Sequence, residues 1–153
     1  MRRGVEVIAV DESERMLDEL RRRIPVSVVD CRVGRAERIP IDDGAVDYVF
    51  ANMLLHHVGE PSRAVREMAR VLRPGGVVVI TDLDRHEFEF LRTEQQDRWK
   101  GFERESLSGW LLGAGLTSVA VESLGEDCCT NLRKAMASIF FASGRKPDNR
   151  FTK

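Results

Sequence analysis

The stretch Arg73-Pro74-Gly75-Gly76-Val77-Val78-Val79-Ile80 constrains the fold more than any other part of the chain. A proline-glycine turn leads straight into a run of β-branched apolar residues with no polar alternation. A short strand of that kind is buried on both faces, and such strands belong to parallel sheets covered by helices. The segment before the turn supplies a helix. Pro61 suits its first position, and Ala64, Val65, Met68, Val71 and Leu72 recur on one face.

The rest of the chain repeats this alternation. Val5 to Val10 reads as a strand, and Ser13 as the N-cap of a helix with Met16, Leu17, Leu20 and Ile24 on its inner face. Val26 to Val33 and Val46 to Ala51 read as further strands, the second entered from the turn Asp42-Asp43-Gly44. The polar tract Asp82 to Phe102 is expected to include a helix. Leu107, Trp110, Leu111 and Ala114 then mark a helix capped by Gly115. Thr117 to Val121 and Ala137 to Ala142 read as the last two strands. The order predicts an α/β, doubly wound, mostly parallel sheet, with antiparallel pairing allowed at the end.

Composition removes several classes. With 42% hydrophobic and 32% charged residues, the chain is globular rather than disordered or fibrous. A formal net charge of −1 gives no reason to expect a nucleic-acid partner. The basic start Met1-Arg2-Arg3-Gly4 precedes an apolar stretch that Glu6 interrupts and Asp11 ends. That stretch is too short for a signal-peptide core or a membrane span, so a cytoplasmic location and no membrane partner are expected. The cysteine count is odd, at 3, and no C-x-x-C occurs. No metal site is therefore expected.

In open α/β sheets, ligands bind beyond the carboxyl ends of the strands. The first strand ends at Asp11, an acid that can accept both hydroxyls of a ribose or simply cap the next helix. Three segments then follow in fixed order: VIAVDESERML (Val7 to Leu17), VGRAERIPIDDGAVDYVFANMLLHHV (Val33 to Val58) and AVREMARVLRPGGVVVITDLD (Ala64 to Asp84). Together they resemble the class I S-adenosylmethionine (SAM) dependent methyltransferases of the ubiquinone/menaquinone-biosynthesis-like (type 11) group. The likeness implies a Rossmann-like fold, SAM as cofactor and methyl transfer to a small-molecule acceptor. It implies that Asp11 holds the ribose and that Glu12 lies along the adenine edge. Arg35, Ala36 and Glu37 would form the loop over the adenine. Asn52 and Met53 would line the methionine half. His57 would stand near the transferred methyl, while Gly75 and Gly76 only turn the chain.

Two departures accompany the likeness. Family members begin with a strand, an acid and a glycine-rich loop that lets backbone amides approach the SAM carboxypropyl group. Here Met1-Arg2-Arg3-Gly4 already matches the tail of the helix after that loop. The absent strand is central in the family's sheet, so its loss would leave two unpaired edges mid-sheet. Three explanations stand open: a longer natural protein, a homodimer or second chain that supplies the strand, or a re-paired sheet that no longer binds SAM. The second departure is Arg35, where the family has an acid that accepts from the adenine amino group. Arginine only donates, although it could stack on the ring or pair with Glu12 or Glu37.

The expected organisation is one domain over residues 1–153, with a core at 5–84, acceptor-side and C-terminal strands at 85–144, and a tail at 145–153. His86 is a candidate base near the acceptor, with a surface position as its plainer reading. Cys128-Cys129 could bind a thiophilic metalloid. Adjacent strand residues point to opposite faces, however, so structural cysteines are the default. Two functions compete: a SAM-dependent methyltransferase of a small molecule, incomplete as written, and a non-catalytic methyltransferase-like partner or remnant. A nicotinamide-dependent dehydrogenase has only Asp11 in its favour, because no G-x-G-x-x-G occurs.

Overall fold

A computed structural model describes residues 4–25, 28–87, 97–129 and 136–148, with 126–129 and 136 described by their backbone alone. Strand β1 (Val7–Asp11) leads into helix α1 (Glu14–Arg23), then β2 (Val29–Val33) and β3 (Val46–Asn52). A 3-10 turn (Leu55–His57) precedes helix α2 (Pro61–Val71), which passes directly into β4 (Leu72–Leu83). Helix α3 (Arg104–Gly113) and the long hairpin of β5 (Thr117–Cys129) and β6 (Met136–Arg145) complete the order.

The strands form two sheets rather than one. β1 and β2 pair in parallel, with Asp11 opposite Val33. The other sheet runs β3-β4-β6-β5. Its first pair is parallel, and the β4–β6 and β6–β5 pairs are antiparallel. The expected mostly parallel single sheet is thus corrected to a parallel pair beside a mixed sheet. One edge of β1 and one edge of β3 take no strand partner among the described residues.

Most local expectations hold. The Ser13 hydroxyl accepts from the Met16 amide at 3.3 Å and starts α1 as its N-cap. Pro61 opens α2, whose buried stripe is Ala64, Val65, Met68 and Val71. Gly115, with φ +82°, ends α3, its amide donating a hydrogen bond to the Leu112 carbonyl. The α2 carboxyl end has a cap from far along the chain: the Lys146 ammonium donates to the Ala69, Arg70 and Leu72 carbonyls at 2.7–3.1 Å.

Other expectations need correction. The last two strands extend well beyond the residues that suggested them, because the hairpin goes on pairing as far as Cys129 opposite Met136. Met16 is 59% exposed, whereas Leu17 is buried. Among the described residues α1 packs chiefly on β1 and β2, and Leu17 is the residue it buries. Several expectations fall wholly or partly outside the described residues: the helix within 82–102 over its stretch 88–96, the start at 1–3, the first two residues of the strand expected over 26–33, the tail over 149–153, and the side chains of Cys128 and Cys129.

The apolar core belongs to the four-stranded half. Leu55, Val65, Met68, Ile80, Leu107 and Phe140 lie within one buried cluster under β3, β4 and β6. By contrast, Tyr48 and Phe50 stack on each other at 6.3 Å on an open face of β3, 63% and 74% exposed.

Candidate functional site

The carboxyl ends of the two parallel pairs open on one rim. The loop after β2 and the turn after β3 meet there, where the Gly59 amide donates to Glu37 Oε1 at 3.1 Å. This contact ties the 35–37 loop to the segment that follows Asn52, Met53 and His57, while Asp11 ends β1 opposite Val33 at the end of β2.

Each residue on the rim already has local ties. Asp11 Oδ1 accepts from the Ser13 amide at 2.7 Å, which fixes the carboxylate and leaves Oδ2 without a partner among the described residues. Arg35 stands between Glu12 and Glu37, at 3.6 and 3.7 Å, so of the alternatives open to it, stacking on the adenine or pairing with one of these acids, the structure has the pairing, and with both. Ala36 packs against the core cluster. Burial pulls the Glu37 carboxyl upward, but backbone hydrogen bonds and Arg35 outweigh it and leave the pKa below its ordinary value. Asn52 Oδ1 accepts from the Thr81 hydroxyl at 2.5 Å, leaving its amide hydrogens for other acceptors. Met53 adopts φ +50°, uncommon for a residue with a side chain, while its amide donates to the Thr81 carbonyl at 2.8 Å. Non-glycine residues held in that region cluster at ligand-binding turns.

The two adjacent histidines have different surroundings. His56 is buried, and its Nδ1 lies 2.6 Å from Asp82 Oδ1. Asp82, wholly buried in β4, also accepts from the backbone amides of Leu55 at 2.7 Å and Leu83 at 2.8 Å. Burial pushes the His56 pKa down, but the Asp82 bond and the charges of Asp82 and Asp97 prevail and raise it. His57 is 46% exposed, with Nδ1 at 3.6 Å from Asp97. His86 is buried, which corrects the plainer surface reading, and its pKa is lowered chiefly by burial. It borders a polar cleft of about 490 Å³ that Asp84, Arg85, Phe102 and Arg104 also line. Arg104 grips Asp84 with two bonds of 2.7 and 2.6 Å, and Ser138 adds a third at 2.8 Å. Arg104 and Ser138 hold Asp84 below its usual carboxylate range against the effect of burial.

Sequence reasoning did not single out Asp82 or Asp97. The first had a signal: a carboxylate inside the run Val77 to Leu83 needs a partner once that strand is buried. The second had none, because its partners are about forty residues away in the chain.

The methyltransferase-domain family profile matches residues 1–80, just over half of the chain. The chain belongs to the methyltransferase type 11 family. An uncharacterised methyltransferase of Mycobacterium tuberculosis is 50% identical over 74 residues, which are 48% of this chain and 29% of the relative. A demethylmenaquinone methyltransferase of Renibacterium salmoninarum is 37% identical over 90 residues, 59% of this chain and 37% of the relative. The chain therefore aligns with well under half the length of these family members. A SAM-dependent methyltransferase of Thermotoga maritima superposes with a TM-score of 0.70 at 25% identity, over 92% of this chain and 72% of the other. The fold is the α/β Rossmann-like fold of SAM-dependent methyltransferases.

Proposed function

We propose that the chain carries the cofactor rim of a SAM-dependent methyltransferase acting on a small-molecule acceptor. The observation that supports this reading most is the Glu37–Gly59 contact, which joins the carboxyl ends of both parallel pairs into one rim. SAM supplies an already activated sulfonium methyl, so the protein's task is to hold donor and acceptor in line and exclude water. Asp11 Oδ2 accepts from the ribose. Asn52 and the turn at Met53 border the methionine half, with His57 beside the acceptor. His86, at the polar cleft, is a second candidate to take a proton from it. Reaction in the cytoplasm, away from membranes and nucleic acids, suits this chemistry.

The donor set fits SAM at the ribose and methionine ends and fails at two places. Arg35 has no acceptor for the adenine amino group, and no glycine cradle stands between β1 and β3 among the described residues. The unpaired edges of β1 and β3 suit one further parallel strand with such a loop, in cis or from a partner chain. The 153-residue chain alone should accordingly bind SAM weakly.

Titration calorimetry with SAM tests the reading. Weak binding that Asp11→Ala removes, and that Arg35→Asp strengthens in a version carrying the added strand, is the expected result. Binding indifferent to Asp11→Ala would overturn the rim assignment. No binding even with the strand supplied would favour the second reading, a non-catalytic methyltransferase-like subunit.

A further inference from the structure

A polar cluster, buried at His56 and Asp97, adjoins the acceptor end of the rim and shares His57 with it. The backbone clamps residues 97–99 onto the 3-10 turn: the amides of Arg98 and Trp99 donate to the His56 carbonyl at 2.9 and 3.2 Å, and the Trp99 indole donates to the Val58 carbonyl at 2.8 Å. These bonds fix Asp97 beside both histidines. Its side chain is only 2% exposed, yet neither carboxylate oxygen takes a hydrogen bond among the described residues. A buried carboxylate without donors is costly.

The donors Asp97 lacks are replaced by ring nitrogens at coordination spacing. Asp97 Oδ1 lies 3.7 Å from His56 Nε2 and 3.6 Å from His57 Nδ1, and one ligand atom from each residue falls within 4.8 Å of the others. Ligand atoms about 2.0–2.2 Å from a tetrahedral zinc stand roughly 3.3–3.6 Å apart. Asp82 completes the arrangement from behind. Its bond to His56 Nδ1 fixes the tautomer that turns the Nε2 lone pair toward Asp97, the usual backing of a metal-binding histidine. Charge points the same way. Asp82 and Asp97 place two carboxylates around one buried imidazole, and a divalent cation balances them.

We propose that His56 (through Nε2), His57 (through Nδ1) and Asp97 bind one divalent transition-metal ion of the zinc class, with the fourth position left to water. Two imidazoles and a carboxylate suit such an ion. The ion pins the 97–102 segment to the turn after β3. None of its ligands lies in the ribose or adenine portion of the rim, and His57 is the one it shares with the acceptor side proposed above, so the metal readouts below do not require SAM.

The test uses the tag-free 153-residue chain with Zn²⁺ for affinity and thermal stability, and Co²⁺ for its visible spectrum. The expected result is one saturable site, a Zn²⁺-dependent rise in melting temperature, and a cobalt spectrum without sulfur charge transfer. His57→Ala and Asp97→Asn should each weaken binding by at least about tenfold and abolish the rise. His57 is half-exposed, so its variant should fold even where the Asp97 variant does not. Lack of saturable binding would overturn the proposal. So would unchanged affinity in His57→Ala, or sulfur-to-cobalt charge transfer, which would put the metal on cysteine.

Discussion

The β1–α1–β2 unit and the four-stranded half use the same local devices with different results. Both have parallel strands and a capped amphipathic helix. The four-stranded half closes a continuous apolar cluster. In the two-stranded unit Leu17 and Val29 are the only buried apolar residues among those described, and neither belongs to that cluster. Two strands and one helix rarely hold themselves together. This unit is fastened at its seam with α2. The Ile39 amide donates to Glu67 at 2.9 Å, and Arg70 donates to the Ile39 and Ile41 carbonyls at 2.9 Å and to Asp43 at 2.6 Å. Local propensity forms the elements in both halves, but only an area of burial comparable to a core makes a half self-sufficient.

The comparison can be broken most severely at Asp82. Asp82→Ala leaves the His56 ring and the Leu55 and Leu83 amides without their acceptor. It should cost about 3–5 kcal/mol, and urea titration should show the four-stranded half melting first. Arg70→Ala acts on the seam instead. With the side chain 29% exposed, the expected loss is about 1–2 kcal/mol. Amide exchange should accelerate in β1, α1 and β2 and hardly change in β4 and β6. Uniform acceleration would mean that the two halves unfold as one.

The seam and the His56 cluster should respond oppositely to pH. Arg70 and the Ile39 amide lower the Glu67 pKa against burial, and Glu37 is lowered too. Their contribution is present above the ordinary value of about 4.5 and is lost as pH falls through the lower folded value, so acid should loosen the seam. Asp84 adds an acid loss in the other half. The His56 pKa is raised, so its contribution is full below about 6.5 and is lost as pH rises through the folded value. A decline in the denaturation midpoint above neutrality that persists in His56→Gln would show that another group causes it. The smallest effect should come from Ser13→Ala. Its bond is long and exposed, so about 0.5–1 kcal/mol is expected, visible as faster exchange in the first turn of α1.

Legibility in the sequence followed the range of the interaction. The Ser13 cap, the α2 stripe after Pro61 and the Gly115 stop depend on neighbours within about four residues, and each was readable. Asp11 was readable as a strand-end acid, and the structure fixes it through Ser13, only two residues away. The buried state of His86 was not readable, because Phe102 and Lys100, whose carbonyls take the Arg85 and His86 amides, belong to a returning segment. Asp97 was hidden for the same reason.

By itself, the sequence determined the alternation of strands and helices, the family and the residues at the strand ends, since periodicity, capping and turn chemistry act locally. Only the tertiary structure decided that β6 enters between β4 and β5 to make one sheet mixed, whereas the open edges at β1 and β3 follow from the absent central strand that the family likeness implies. It selected, among the roles open to Arg35, the place between two glutamates, and it alone enclosed His56 between Asp82 and Asp97. Those outcomes depend on which distant backbones pair and on which side chains are left buried when they do, and no local pattern encodes that.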